Sequence, residues 1–150
     1  MKENAKYVKE TLKLRDTIES AFIALGERFY KIREESLWHG MFESYGEFLE
    51  QMRVSEATAS KLMQVYRTYV VEHKIAISRL AVIGWSNLYM AIPLIAKHGV
   101  ENAVEKASSL RRADIEDEVR DENHPDCKHE WQKVTIRLCL ECGKRERLSE

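Results

Sequence analysis

The sequence predicts a mainly α-helical protein: a multi-helix bundle followed by a small C-terminal β unit. Hydrophobic residues make up 44% of the 150 residues and charged residues 33%, with only six glycines and two prolines. This composition is typical of a soluble, helix-rich globular protein. Apolar residues recur at three- and four-residue spacing along most of the chain, whereas Val134, Ile136 and Leu138 alternate as in a strand.

Charge and hydropathy limit the classes of function. No apolar run reaches the roughly 18 to 20 residues that a membrane span needs, and the charged N-terminus lacks the apolar centre of a signal peptide. We therefore expect a cytoplasmic protein with no membrane partner. The net charge of −1 provides no overall attraction to nucleic acid, so any DNA affinity must come from a local patch.

The first element is a long amphipathic helix. Apolar residues recur at helical spacing from Tyr7 to about Glu35, with charged residues between them, and Gly26 is a point where the helix could be interrupted. Its apolar face would serve either as scaffold for the helices that follow or as the surface of a homodimer.

Two helix starts come next in quick succession. Ser44 followed by Glu47 is a capping-box pattern, which predicts a short helix. Ser55 can cap a longer helix over about residues 56–71. Only Arg53 and Val54 separate the first predicted helix from the Ser55 cap of the second, so the chain must turn sharply there.

A second unit of this kind is expected over residues 78–98, with caps at Ser78 and Ser86 and a kink or helix end at Pro93. A further helix follows Ser109. We divide the chain into a helical domain (residues 1–120, with helix-turn-helix-like units at 45–71 and 78–98), a linker (121–126) rich in Asp, Glu, Asn, His and Pro, and a C-terminal module (127–150).

The C-terminal module carries a candidate metal site. All three cysteines of the chain lie there, and the pairs Cys127/His129 and Cys139/Cys142 are separated by a segment that would bring them together as a hairpin. A Cys₃His set fills the four tetrahedral positions that structural Zn²⁺ prefers. A module this short needs the free energy of metal binding in order to fold. Gly143 suits the tight turn after the second pair. His124 is an alternative to His129, and chance placement of ordinary cysteines is the simpler alternative to metal binding.

A resemblance supports the metal. The stretch from Cys127-Lys-His-Glu-Trp131 through Cys139-Leu-Glu-Cys-Gly143 resembles the zinc-ribbon tails, opening with Cys-x-His-x-Trp, of nucleic-acid-associated, phage and mobile-element proteins. The resemblance implies a structural zinc ribbon. It does not fix a function, because zinc ribbons bind DNA, RNA or protein, or simply hold a terminus.

The first pair of helices resembles a second known pattern. Residues 47–63, EFLEQMRVSEATASKLM, are similar to the helix-turn-helix of prokaryotic DNA-binding proteins. Two positions depart from it: Leu49 stands where alanine is common, and Arg53 where the turn favours glycine. The wider chain, with Phe29–Arg33, SYGEFLEQ and Ile83-Gly-Trp-Ser-Asn-Leu88, resembles partition-protein-like proteins of phages, plasmids and integrative elements.

That resemblance implies which side chains face double-stranded DNA. Leu62 and Met63 would pack inward, and the candidates for base or phosphate contacts are Arg53, Glu56, Thr58, Ser60, Lys61, Gln64 and Arg67. The simpler alternative is that these residues form the solvated face of a bundle helix.

No Gly-rich phosphate loop, nucleophile with a nearby base or helical His-Glu-x-x-His pattern occurs, so we do not expect an enzyme. The leading hypothesis is a DNA-binding protein of a phage or mobile element with an accessory zinc ribbon. The alternative is an adaptor that binds host or phage machinery through the acidic helix after Ser109 and the ribbon.

Overall fold

The computed structural model describes residues 2–126, 128, 135–138 and 145–148, which are mainly helical as predicted. The helices are α1 (Lys2–Glu34), α2 (Tyr45–Gln51), α3 (Glu56–Val65), α4 (Ile77–Ala81), α5 (Trp85–Ala91), α6 (Ile95–His98), α7 (Val100–Ser109) and α8 (Arg112–Asn123). A π-helical segment, Tyr66–Glu72, continues α3, and a 3-10 turn, Ile92–Leu94, joins α5 to α6. Strands β1 (Thr135–Leu138) and β2 (Arg145–Leu148) pair antiparallel. None of the described helices is long and apolar enough to cross a membrane.

Two apolar clusters hold the helices together. The smaller one joins α1, α2 and α3 through Phe29, Leu49, Ala59, Leu62 and Met63. The larger one is built mainly from the π-helical segment and the helices after it, with Ile23 of α1 also in it. At its centre the buried Tyr69 hydroxyl donates a hydrogen bond to the Leu88 carbonyl oxygen at 2.8 Å. Burial raises the pKa of the Tyr69 phenol, which therefore stays a neutral donor.

Gly26 does not interrupt the first helix. Helix α1 is continuous from Lys2 to Glu34, so the possible interruption at Gly26 does not occur. A Cβ atom at Gly26 would lie 2.4 Å from the Leu62 carbonyl oxygen and 2.9 Å from its carbon. The glycine is therefore where the backbones of α1 and α3 come closest, a requirement that belongs to the tertiary structure.

The caps of the second helical pair differ from the prediction. Helix α4 has Ala76 at its N-cap and α5 has Gly84, so Ser78 and Ser86 lie inside the helices. At α5 a distant side chain replaces the expected serine, because the Glu19 carboxylate accepts a hydrogen bond from the Trp85 backbone N–H at 3.0 Å. Pro93, as predicted, coincides with the end of a helix: α5 ends at Ala91 before the 3-10 turn.

Helix α8 extends into the segment expected to be a linker. It ends at Asn123, so residues 121–123 are helical and the irregular chain begins at His124. The Glu122 carboxylate accepts a hydrogen bond from the Lys97 ammonium group at 2.8 Å, and its other oxygen lies 2.7 Å from His98 Nε2. These contacts with α6 stabilise a last turn that composition alone assigned to a linker.

Candidate nucleic-acid interface

Helix α2 begins as the sequence predicted. The Ser44 hydroxyl oxygen accepts a hydrogen bond from the Glu47 backbone N–H at 3.1 Å. The Glu47 carboxylate in turn accepts one from the Glu43 backbone N–H at 2.6 Å, one residue earlier than an ideal capping box requires. The two bonds fix the N-terminus of α2, while Leu49 on its inner face is buried.

Arg53 adopts the left-handed conformation that the turn demands. Its φ is 54°, a value that L-residues rarely adopt and that glycine adopts freely. The N–H of Arg53 donates to the Glu50 carbonyl oxygen at 2.9 Å, and that of Val54 to the Leu49 carbonyl oxygen at 3.1 Å. These two bonds form a Schellman C-cap. The turn thus keeps the geometry for which the resembling motif uses glycine, with an exposed cation at its tip.

Helix α3 begins at the predicted cap and packs on the predicted face. The Ser55 hydroxyl oxygen accepts a hydrogen bond from the Thr58 N–H at 3.1 Å, and the two hydroxyl oxygens lie 2.8 Å apart. Leu62 and Met63 are buried in the cluster with Phe29. The helix is therefore held by its cap and by its inner side chains.

The other face of α3 is open to solvent and polar. Of the candidate DNA-contacting residues, the structure exposes Arg53, Glu56, Ser60, Lys61, Gln64 and Arg67. Thr58 is half-buried, and its hydroxyl is engaged at the cap. Lys61 Nζ lies 5.5 Å from the centre of the Tyr89 ring, so its stem follows α5 while its charge faces outward. We call the exposed residues Ser60, Lys61, Gln64 and Arg67 the α3 face.

An open groove of about 430 Å³ lies beside this face. Helix α1 contributes Tyr30, Arg33 and Glu34 to its wall, and the α3 face contributes Ser60, Gln64 and Arg67. These α1 residues are not among the site residues predicted from the sequence. Tyr30, Arg33 and Glu34 lie four, seven and eight residues after Gly26, on the side of α1 that approaches α3, a relationship that becomes visible only in the tertiary structure.

Charges of both signs surround the groove. Arg67 Nε lies 2.9 Å from the Glu72 carboxylate, and the Arg33 guanidinium carbon lies 5.7 Å from the centre of the Tyr45 ring. Glu34 adds negative charge to the groove wall, and Glu56 is exposed at the start of α3. A surface so balanced offers phosphate individual cations and not a uniformly positive patch. Its chemistry is instead that of individual hydrogen-bonding groups on an exposed helix.

The second helical pair is buried scaffold. Helix α5, which stands where the recognition helix of a second helix-turn-helix would be, packs against α3, α7 and α8. Its Leu88 and Ala91 are buried, and the Asn87 amide donates to the Ala107 and Leu110 carbonyl oxygens at 3.1 and 3.3 Å. Asn87 therefore stabilises the end of α7 and is not available to a ligand.

The acidic helix α8 is largely neutralised within the fold. Its carboxylates pair with nearby cations: Asp114 with Arg111, Glu116 with Arg112, Asp117 with Arg120, Glu118 with Lys106, and Glu122 with Lys97. Most of these pairs are exposed and contribute little to stability. They do reduce the local excess of negative charge, so α8 is a weaker anionic surface than its sequence suggests.

The candidate zinc ligands Cys127, His129, Cys139 and Cys142 lie outside the described residues. The strands on either side of the second pair are described: Leu138 pairs with Arg145 and Thr135 with Leu148. In the sequence Cys139 and Cys142 therefore fall between two paired strands. His124, the alternative ligand, is exposed directly after α8. Among the described residues no group of three or more His, Cys, Asp or Glu side chains is arranged to hold a metal ion.

Comparison of the chain with protein-family models, with curated proteins and with solved structures found no match. The candidate interface consequently stands on its own geometry: two capped helices, a tight left-handed turn and an exposed polar face.

Proposed function

We propose that this chain is a DNA-binding protein that places α3 in the major groove of double-stranded DNA. Its resemblance to phage and mobile-element proteins favours a role in such an element. The helix pair α2 and α3 would act as a helix-turn-helix, with the α3 face reaching base edges and Arg53 reaching a phosphate. We assign the chain no catalytic role.

The turn at Arg53 carries this proposal. The left-handed residue and its two capping bonds end α2 abruptly, and Ser55 starts α3 two residues later. This arrangement leaves one long side of α3 free while Leu62 and Met63 are buried beneath it. Gln64 and Arg67 on the free side are residue types that hydrogen-bond to adenine and guanine in the major groove.

The C-terminal module is proposed to be an accessory zinc ribbon. Cys127, His129, Cys139 and Cys142 would hold one structural Zn²⁺, and the pairing of β1 with β2 suits a ligand pair carried in the segment between them. Lys144, Arg145 and Arg147 give this module a basic sequence that offers a second contact with the DNA backbone.

The adaptor alternative has less support. It needs α8 as an anionic docking surface, but the carboxylates of α8 are paired with cations of the same fold. A protein partner would have to displace these ion pairs or use another surface.

The decisive experiment measures binding to random-sequence double-stranded DNA across a salt series by fluorescence anisotropy. The double variant Lys61→Gln/Arg67→Gln removes two positive charges from the α3 face. We expect weaker binding, and a smaller slope of log affinity against log salt, with a fall of up to about two if both cations neutralise phosphates on random-sequence DNA.

The matched control is Arg112→Gln/Arg120→Gln. It also removes two positive charges, but from α8, which is not part of the helix pair α2 and α3. It should leave both the affinity and the slope unchanged. Equal effects of the two double variants would mean that net charge alone governs binding, and undetectable binding by the native protein at 50 mM salt would refute the proposal.

Metal content tests the ribbon separately. Native protein purified without chelator should contain one zinc per chain, and Cys142→Ser should lose it while the far-ultraviolet circular dichroism of the helices is retained. His129→Asn and His124→Asn distinguish the fourth ligand, since only the true ligand should lower zinc retention during dialysis. A zinc-free native protein would remove the ribbon from the proposal without affecting the role of α3.

A further inference from the structure

The first half of α1 has an apolar stripe that no described part of the chain covers. Tyr7, Val8, Leu12, Leu14 and Ile18 expose 75, 58, 48, 60 and 48% of their surface, and the first fully buried residue of α1 is Ile23. We call residues 2–18 the N-terminal arm. At about 1.5 Å per residue it is roughly 25 Å long.

An arm of this kind needs a partner. Isolated helices of this length are only marginally stable in water, and a continuous apolar stripe on one of them is costly to expose. The stripe passes directly into the part of α1 that packs in the bundle, where Phe22 and Leu25 are half-buried. The partner must therefore extend an apolar surface along the same axis.

Part of the stripe has the spacing of a short coiled-coil seam. Tyr7, Thr11, Leu14 and Ile18 follow one another at intervals of four, three and four residues, the repeat of alternating d and a positions. Ile18 then occupies an a position and Leu14 a d position, the combination that favours two parallel strands. Val8 flanks the seam at an e position, whereas the exposed Leu12 is at a b position and lies outside it.

Charge complementarity also favours the parallel orientation. In this register Glu10 is at a g position and Arg15 at the following e position, the two positions that meet between parallel helices. Two parallel copies would thus form the Glu10–Arg15 pair twice. Within one chain Glu10 lies 3.9 Å from Lys6, and Arg15 lies 2.6 Å from Asp16. Both ion pairs are exposed and therefore weak, so they would not prevent Glu10 and Arg15 from pairing between two copies.

From these observations we infer that the protein is a homodimer held by a parallel two-stranded coiled coil of its N-terminal arms. The seam runs in line with Leu25, seven residues after Ile18, which is half-buried against the bundle, so the paired arms would end where α1 enters the bundle. Glu19, which is hydrogen-bonded to α5, marks where the arm meets the bundle. This inference does not depend on DNA binding.

The first test is the mass of the full chain in solution. Sedimentation equilibrium should give about twice the 17.6 kDa of one chain. The variant Leu14→Glu/Ile18→Glu places unpaired carboxylates in the seam and should raise the dimer dissociation constant at least about 100-fold. Its control, Lys9→Gln/Lys13→Gln, changes the net charge equally on the outer side of the arm and should remain dimeric.

Urea unfolding serves as the folding control. When the native protein and the seam variant are both measured as monomers, the bundle should unfold at the same urea midpoint in both. A native chain that is monomeric at 100 µM, or a seam variant that dimerises as the control does, overturns the inference.

The orientation has its own test. In a parallel coiled coil Tyr7 meets Tyr7 of the second copy, whereas in an antiparallel one it meets Ile18, roughly 16 Å further along the helix. Mild oxidation of zinc-loaded Tyr7→Cys should therefore give a covalent dimer that the native protein, with its own three cysteines, does not give. Absence of this cross-link in a dimeric Tyr7→Cys protein overturns the parallel arrangement.

Discussion

The Glu19 carboxylate accepts a hydrogen bond from the backbone N–H of Trp85 at 3.0 Å, joining α1 to the first turn of α5. The residue before Trp85 is Gly84, whose φ is 99°, and a Cβ atom there would lie 3.5 Å from the same carboxylate. The Trp85 ring lies 6.0 Å from that of Phe22, one helical turn after Glu19. The Glu19 carboxylate therefore caps the N-terminus of α5, as the hydroxyls of Ser44 and Ser55 cap α2 and α3.

Loss of this cap should destabilise the bundle. We expect Glu19→Ala to lower the free energy of unfolding by about 1 kcal/mol, the cost of an ordinary N-cap, because the Trp85 N–H is left without its acceptor. Glu19→Gln keeps an acceptor oxygen and should lose less. Urea unfolding followed by circular dichroism measures both, and equal losses in the two variants would show that charge, not the hydrogen bond, matters here.

Gly26 should tolerate no larger residue. Alanine is intrinsically better in a helix by about 1 kcal/mol. Its Cβ would nevertheless meet Leu62 backbone atoms at 2.4 and 2.9 Å, which no side-chain rotation can relieve. We expect Gly26→Ala to lower the unfolding free energy by about 1–3 kcal/mol in urea titrations.

Gly46→Ala is the matched control for that substitution. Gly46 lies in α2, where the only atom near an added Cβ is the Ser44 hydroxyl oxygen at 3.7 Å. Alanine there should leave stability unchanged or raise it slightly. If both alanine variants behave alike, the close approach of α1 to α3 is not what Gly26 serves.

Substitution of Arg53 should change folding stability and DNA affinity in opposite directions. Glycine adopts its φ of 54° without strain, so we expect Arg53→Gly to raise the unfolding free energy by up to about 1 kcal/mol. Gln51→Gly, a control within α2, should lower it. If Arg53 contacts a phosphate as proposed, the more stable Arg53→Gly protein should bind DNA less tightly, with a salt slope reduced by about one.

Glu122 should contribute to stability in a pH-dependent way. Hydrogen bonds from Lys97 and then His98 lower the pKa of its carboxyl from 4.5 to about 2. Because the folded pKa lies below the unfolded one, the contribution is complete above about pH 5 and is lost as the pH falls through 4.5 towards 2. The stability difference between native and Glu122→Gln protein should therefore shrink between pH 6 and pH 3. Asp121→Asn, at the neighbouring exposed position, should show a smaller change.

Much of the helical fold was predictable because its signals are local. The bonds from Ser44 to the Glu47 N–H and from Ser55 to the Thr58 N–H each span three residues, so the sequence alone located the starts of α2 and α3. Leu62 and Met63 likewise followed from helical spacing. Of the residues that the helix-turn-helix resemblance placed on the outer side of α3, Thr58 departs, because it is half-buried and its hydroxyl is engaged at the cap.

The errors concern contacts between residues far apart in the sequence. The sequence alone marks Gly26 as a possible break, because the residue it contacts, Leu62, is on another helix. Ser86 was read as a cap because the real acceptor, Glu19, lies 66 residues away. Residues 121–123 were assigned to a linker because Lys97 and His98, which hold Glu122, come from α6. Contacts of this kind cannot be inferred from the residues that are neighbours in the sequence.

The π-helical segment gives Arg67 an internal competitor. In an α-helix Arg67 would lie beside the apolar Val71, whereas the wider turn brings Glu72, five residues on, to 2.9 Å from its guanidinium group. Glu72 is bonded to Nε alone, so the two terminal NH2 groups of Arg67 remain as donors for a phosphate or base. Glu72 would thus hold the guanidinium in one orientation while its negative charge weakens the attraction of Arg67 for a second anion.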